Sequence, residues 1–498
     1  CLKGCPTRAY TKYAEYGAVL QDPDICFGCG YCTWVCPYNA PQLDPVKGQV
    51  TKCNMCVDRL EVGLKPACVS ACLGNALDFG VVENIPENRI EAKTAIPGFP
   101  TTDITQPNIR FQQTRSTHRE MTRTDAMPLK YHKDDSVGIF KPKVDKKRGE
   151  KKHYNWLKLL TSHESAHVIF TLSTQAVLGA FLIIVTAGLF NLEALTPLNS
   201  TAVKLPLLGS MFVMLTYGLF KLNMHLGKPH RFYRGFNNLR LSPLSREIAG
   251  VSGFYTFLMA YGFFSIFDNA LCHFLANASG ILGALSGLIG LYYMYKIYRI
   301  KARPFWDHWQ TGSAFLGNTL SYGALLTGLI SLPLLSPEHS LLALTSPLMA
   351  LVALGLGLEL IGHIAHSRAM SSLENEGAAS WYLQTTQYGK AWITRNVLLG
   401  LSFSLALLLL LTTPSGSLAF IGWTVLAVLM ISAGAISRSL FFVLVIPTTM
   451  PGAFFWKNKA FEEHARESGL VDMEQVGVVR ELHGKFKFDE LLETIKTT

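Results

Sequence analysis

From about residue 163 the chain alternates long apolar stretches with short polar ones. Eight stretches, near 165–189, 204–224, 247–267, 274–297, 312–332, 341–364, 393–412 and 418–446, are each long enough to cross ~30 Å of hydrocarbon as a helix of ~20 residues. The pattern predicts an all-α bundle of about eight transmembrane helices over residues 163–452. Pro414-Ser415-Gly416 marks a turn before the last span. Gly280, Gly283, Gly287 and Gly290 fall three and four apart, which puts them on one helix face and predicts a close helix–helix approach. The other segments read differently. Residues 1–80 are short of aliphatic side chains and rich in turn formers such as Asp22-Pro23-Asp24, Gly28, Gly30 and Gly48. Residues 81–162 have weak periodicity broken by six prolines and read as an extended connector with little regular structure, wrapping a neighbour. Residues 453–498 turn polar again, with patches such as Phe488, Leu491 and Leu492 that suggest a small surface helix pair.

Composition agrees with lipid as the solvent of the larger part. Of 498 residues 49% are hydrophobic and 16% charged, and the mean hydropathy is +0.24, too apolar for a wholly soluble protein. The net charge of +10 does not call for nucleic acid, because much of it flanks the spans. Lys228, Arg231, Arg234, Arg240 and Arg246 follow the second span and Lys296, Arg299, Lys301 and Arg303 the fourth. Arg368, Lys390 and Arg395 follow the sixth, while the opposite loops carry Glu193, Asp268 and Glu338. With an even number of spans both termini share the basic face, which the positive-inside rule places in the cytoplasm. The run from Lys146 to Lys152 reads as a solvated stretch facing lipid headgroups.

Ten of the eleven cysteines lie within the first 72 residues. Cys26-x2-Cys29-x2-Cys32-x3-Cys36-Pro37 has the bacterial ferredoxin spacing for [4Fe–4S] clusters, in which the fourth cysteine serves the other cluster. By that rule Cys26, Cys29 and Cys32 should share a cube with Cys5 from the preceding group, and Cys36 should pair with Cys1 and with ligands that are not present here. The sequence opens with Cys1-x3-Cys5-Pro6, like the last two ligands of a cut cysteine group, so it reads as a fragment lacking its true N-terminus. Cys53-x2-Cys56-x11-Cys68-x3-Cys72 could by itself be a zinc site; beside a full ferredoxin run it reads as a cluster site. Residues so close in sequence rarely bridge each other, which argues against disulfides. Cys272, alone at the start of a span, reads as packing.

These residues carry a family resemblance. The segment Cys26-Phe-Gly-Cys-Gly-Tyr-Cys-Thr-Trp-Val-Cys-Pro-Tyr-Asn-Ala-Pro-Gln, then Thr51-Lys-Cys-Asn-Met-Cys-Val-Asp-Arg, Lys65-Pro-Ala-Cys and Ala76-Leu-Asp-Phe-Gly resembles the electron-transfer subunit of dimethyl sulfoxide reductase-type molybdoenzymes. The family carries four [4Fe–4S] clusters on sixteen cysteines in two ferredoxin-like halves, of which ten cysteines remain here. Leu73 stands where a proline is usual. The apolar part resembles the membrane anchor subunit of the same family, on His163-Glu164 followed by Ile169-Phe-Thr and Gln175, on His225-Leu-Gly-Lys-Pro and on Ser242-Pro-Leu-Ser-Arg-Glu-Ile. Such anchors have eight helices, no haem and a quinol site near the electron-transfer subunit.

The resemblance implies a ferredoxin-like α+β iron–sulfur module fused to a polytopic anchor in a bacterial inner membrane. It would pass electrons between the quinone pool and a separate catalytic subunit that alone holds the molybdenum cofactor. His225 would bond the quinone head and Glu247 relay protons, with Arg246 beside it on the same face; the plain alternative is an interfacial histidine and a glutamate favoured at a helix N-terminus. His363 and His366 lie three apart on one helix, whereas bis-histidine haem draws on two helices, so they read as a cavity-facing or interfacial pair. The same architecture could run in the oxidising direction, as in a sulfite dehydrogenase. A rival of another class is a polytopic transporter with a zinc-binding head. No dinucleotide, Walker or nucleophile-elbow motif stands out.

Overall fold

The computed structural model describes residues 1–80 and 159–446, each with short breaks, and isolated strands between 90 and 146. The predicted tail over 453–498 lies outside the described residues, as does His163.

The N-terminal module consists of two antiparallel hairpins around a short helix. Strands β1 (Tyr10–Lys12) and β2 (Val19–Gln21) pair with Tyr10 opposite Gln21. Strands β3 (Gln42–Asp44) and β4 (Gln49–Thr51) pair with Gln42 opposite Thr51. Helix α1 (Tyr31–Val35) lies between them, and the single turns α2 (Val57–Glu61) and α3 (Ala67–Ser70) follow. Its buried core is small, with Ala9, Tyr10 and Val50 packed among Cys5, Cys26 and Cys32. So few aliphatic groups leave much of the cross-linking to bound metal.

The connector holds more regular structure than its sequence suggests. Strands β5 (Ile90–Glu91) and β6 (Arg110–Phe111) pair, and β7 (Glu120–Thr122), β8 (Leu129–Lys133) and β9 (Phe140–Val144) form an antiparallel sheet. Leu129 and Tyr131 of β8 are buried against Ala379 and Ile446 of the anchor. Tertiary packing, absent from local periodicity, makes these strands.

Eight helices of 22 residues or more follow among the described residues: α4 (Ser165–Phe190), α5 (Thr201–Met224), α6 (Pro243–Phe264), α7 (Ala270–Tyr298), α8 (Gln310–Ser331), α9 (Ser340–Ser372), α11 (Gly389–Thr412) and α12 (Gly416–Val443), with the short α10 (Glu376–Thr385) before α11. Seven are long and apolar enough to cross a membrane; α6 is not among them. Its first turns carry Arg246 and Glu247, which lowers its hydropathy, but it packs in the bundle like the rest. Outward faces carry Val213, Phe220, Phe263, Phe274, Leu411 and Leu418, all exposed, as a lipid-facing surface requires. The molecule is a multi-pass membrane protein. Ser242 caps α6 by accepting from the Ser245 N–H, with Pro243 next, and Asn269 caps α7 through the Cys272 N–H. The glycine row of α7 is buried against α4 and α6: Gly290 meets Gly250, and Ser286 Oγ donates to the Gly250 carbonyl at 3.1 Å.

The module docks on the loops at one end of this bundle. Arg231 donates to the carbonyls of Pro23 and Cys26 at 3.0 and 3.1 Å, and Arg234 donates to that of Asp24. Asn238, Ser242 and Ser245 reach the carbonyls of Cys5, Gly4 and Pro6 at 2.7, 2.8 and 3.2 Å. Buried Arg303 donates to those of Thr33 and Trp34. Gly28, Gly48 and Gly227 meet backbone to backbone, with no room for a Cβ at Gly28 or Gly227. Several loop cations assigned to the positive-inside rule thus also hold the module.

Candidate functional site

Cys5, Cys26, Cys29 and Cys32 line one small cavity with Tyr10 and Val50. Gly28 (φ 75°) and Gly30 (φ 70°) take left-handed conformations between the thiols, and Gly30 opens α1. That path, closed to most L side chains, turns Cys26, Cys29 and Cys32 to the same space. Tyr10 OH donates to Cys32 Sγ at 3.3 Å, and Cys5 Sγ lies 3.3 Å from Thr7 Oγ1. Burial pushes the Cys29 thiol well up, and Cys32, Cys5 and Cys26 push it the same way. Burial likewise takes Cys32 up to about 12, against the Tyr10 hydrogen bond. Four thiols so placed ionise together only around a cationic core, so the donor set fits the [4Fe–4S] cluster that its spacing implies. These are the four that the ferredoxin rule assigns to one cube.

Among the described residues the remaining cysteines form no disulfide. Cys1 packs beside this group, and Cys36 is buried just after α1. Cys56 opens α2, Cys68 lies within α3 and Cys72 follows it, with Cys53 and Cys68 exposed.

A second cavity of about 450 Å³ lies where module and anchor meet. Cys29, Tyr31 and Trp34 form its wall on the module side; His225, which ends α5, and Glu247 of α6 line it from the anchor. Glu247 is 7% exposed. Two residues therefore belong to both the thiol cavity and this larger space, Phe27 and Cys29, and of these Cys29 alone carries a thiol. Tyr31 OH donates to the Ile297 carbonyl at 3.3 Å.

Of the three residues that the resemblance nominated for a quinone, the structure brings His225 and Glu247 together and leaves Arg246 outside. Arg246 donates to the carbonyls of Leu239 and Arg240 and to Tyr293 OH, and so closes its own loop. His167, in the first turn of α4, was not singled out from the sequence, yet it lines the cavity and its ring stands 4.5 Å from that of His225 at 78°. Its spacing of three from Glu164, whose carboxylate lies 3.1 Å from His167 Nδ1, was the available signal.

A separate polar cluster is buried between α8, α9, α11 and α12. His363 Nε2 lies 3.4 Å from Glu359, and Arg395 approaches His363 Nδ1 at 3.1 Å. Arg438 donates to Gln175 at 3.2 Å, and His366 meets the Phe305 carbonyl at 3.0 Å. Arg395 is thus no loop cation, as its sequence position suggested, but a buried helix residue.

Residues 160–444 match the family described as DMSO reductase anchor subunit (DmsC). Residues 1–82 match the 4Fe-4S dicluster domain. Among curated relatives, an anaerobic dimethyl sulfoxide reductase chain of Haemophilus influenzae is 46% identical over 109 residues, 22% of this protein and 52% of the relative. Its counterpart of the same description from Escherichia coli K12 is 43% identical over the same shares. A sulfite dehydrogenase subunit of Allochromatium vinosum is 43% identical over 96 residues, 18% of this protein and 40% of the relative. The chain spans about half the length of the first two relatives. No solved structure matches it. Since the anchor match takes in more than half of its residues, the chain therefore belongs to the DMSO reductase anchor subunit family, and it carries a ferredoxin-like iron–sulfur domain ahead of that anchor.

Proposed function

We propose that this chain carries electrons between a membrane quinone pool and a separate molybdenum-containing catalytic subunit, through clusters held by Cys1, Cys5, Cys26, Cys29, Cys32, Cys36, Cys53, Cys56, Cys68 and Cys72. The supporting observation is that Cys29 faces both the thiol cavity and the cavity at the anchor. A volume of about 450 Å³ suits a small organic ligand. Bound iron–sulfur clusters supply one-electron transfer; the residues of the chain supply the rest. His225 hydrogen-bonds a head-group oxygen, since imidazole can donate or accept near neutrality. Glu247 exchanges the proton that accompanies each electron, because a buried carboxylate is retained in a membrane only where it is paired or functional. Trp34 and Phe170, which line the cavity, would flank the ring.

The reading extends to residues 1–80 as iron–sulfur module, 81–162 as connector, 163–452 as anchor and 453–498 as tail. It places the protein in a bacterial inner membrane with the module in the cytoplasm, on the charge of Lys228, Arg240, Lys296, Lys301 and Lys390. The DMSO reductase relatives favour quinol oxidation; the sulfite dehydrogenase relative carries the opposite direction as the second reading. The family matches lend nothing to a transporter with a zinc head.

The test uses full-length protein with its catalytic partner. His225→Ala should abolish quinol-driven cluster reduction while dithionite still reduces every cluster and iron content stays at the wild-type value. Unchanged quinol-driven reduction in both His225→Ala and Glu247→Gln refutes the site. Protease cleavage of the module from outside intact spheroplasts refutes the cytoplasmic placement.

A further inference from the structure

Glu164 is the N-cap residue of α4, His167 lies in its first turn on the same face, and His225 ends α5. The three side chains belong to two helix termini brought together in the bundle. Their nearest donor atoms, one carboxylate oxygen and two imidazole nitrogens, lie within 4.8 Å of one another, and all three residues are partly buried. Donors around a tetrahedral Zn2+ at about 2.0–2.1 Å stand roughly 3.4 Å apart. The Glu164–His167 separation of 3.1 Å already meets that spacing, and a side-chain rotation at His225 closes the rest. Two nitrogens and one carboxylate suit a borderline transition-metal ion and not Mg2+ or Ca2+, which take oxygen sets. Three protein donors leave a fourth position open, as in zinc sites that bind an exchangeable ligand, and two of the three residues, His167 and His225, line the large cavity.

We propose that Glu164, His167 and His225 form a site for a divalent transition-metal cation, Zn2+ by its donor set, and that its occupation withdraws His225 from the cavity ligand. The metal-binding half stands on the three side chains alone; the second half rests on the quinone reading given above. A cation there competes with quinol for the His225 imidazole and makes occupation of the cavity metal-responsive, a gate on the ligand. No electron is transferred to the ion, and chelation reverses the block.

The experiment uses the full-length, iron–sulfur-loaded protein in lipid nanodiscs, equilibrated with buffered micromolar Zn2+. Bound zinc is counted by mass spectrometry and its neighbours are read by X-ray absorption, which separates nitrogen and oxygen near 2.0–2.1 Å from sulfur near 2.3 Å. One zinc per protein molecule with a nitrogen and oxygen shell is expected. Glu164→Gln and His167→Gln should each weaken it at least tenfold, with iron content confirming that the variants fold. Zinc should raise the apparent KM for quinol several-fold in the wild type and not in these variants. A sulfur shell, or zinc retained in both variants, overturns the site. Zinc that binds through nitrogen and oxygen but leaves quinol oxidation unchanged overturns the gate. Loss of quinol oxidation in His225→Ala is measured without zinc, so the quinone reading stands or falls separately.

Discussion

Gly227→Ala tests whether the two halves depend on backbone contact. A Cβ at Gly227 would stand 2.5 Å from the Gly48 carbonyl carbon and 2.8 Å from its Cα. Backbone cannot swing aside as a side-chain tip can. Reaching an ordinary contact of 3.4 Å from that carbon requires a retreat of 0.9 Å, the difference between 3.4 and 2.5. Such a retreat takes the bond from the Lys228 N–H to the Phe27 carbonyl, now 3.0 Å, beyond hydrogen-bonding range, and stretches Arg231 to Cys26 from 3.1 Å. One neutral and one charge-assisted hydrogen bond together contribute about 2–4 kcal/mol, a change on the order of 30- to 1,000-fold in the docking equilibrium. Hydrogen exchange at the amides of residues 27–31 reads this directly, and quinol-driven cluster reduction should slow in parallel. Gly400→Ala, whose Cβ would meet nothing within 4 Å, is the control. Amide protection in Gly227→Ala equal to that of Gly400→Ala would refute the argument.

Arg303 predicts a second effect at the same dock. It is 3% exposed and donates to Thr33 and Trp34, so Arg303→Met keeps the apolar stem but strands two carbonyls. A loss of roughly 2–4 kcal/mol should appear as a lower temperature of cluster loss on heating, with Arg303→Lys intermediate. His308 gives a pH dependence. Its Nδ1 accepts from the Gln310 N–H at 3.1 Å at the start of α8, and burial, with Arg299 beside it, holds its pKa below 6.5. Folded protein therefore keeps the ring neutral while the unfolded chain takes up a proton near 6.5. Stability contributed here is present above pH 6.5 and is lost as pH falls towards the folded pKa. Protection factors at residues 310–313, which correct for the intrinsic pH dependence of amide exchange, should fall below pH 6.5 in the wild type and stay flat in His308→Gln.

The thiol cavity was legible because cysteines three residues apart, with glycines between them, can turn their thiols to one place. Cys26, Cys29 and Cys32 face one space for the reason their intervals suggest, and Gly28 and Gly30 between them were visible as turn formers. The spans were legible from length and apolarity. The larger cavity was half legible: His225 and Glu247 stood out as ionisable groups beside apolar runs, whereas Tyr31 and Trp34 read as ordinary aromatics until the dock placed them on a wall. Arg246 has the same sequence credentials as Glu247, and only the geometry of its loop separates them. Arg395 read as a loop cation because a charge near the start of an apolar run gives no sign of whether it points to water or inward. The strands of the connector depend on partners in α10, more than two hundred residues away, as in the bond from Tyr131 OH to Glu376.

The dock is made of residues translated long after the module that needs it. Cys26 and its partner Arg231 are 205 positions apart, which at 5–20 residues per second is about 10–40 s of synthesis. During that interval the newborn module has its thiols but not the arginines and serines that later grip its carbonyls. The time between the making of the thiols and the making of their dock is therefore set by the rate of translation. Slowing translation upstream of the second span should enrich cluster-filled protein, and hastening it should enrich empty heads already attached to membrane.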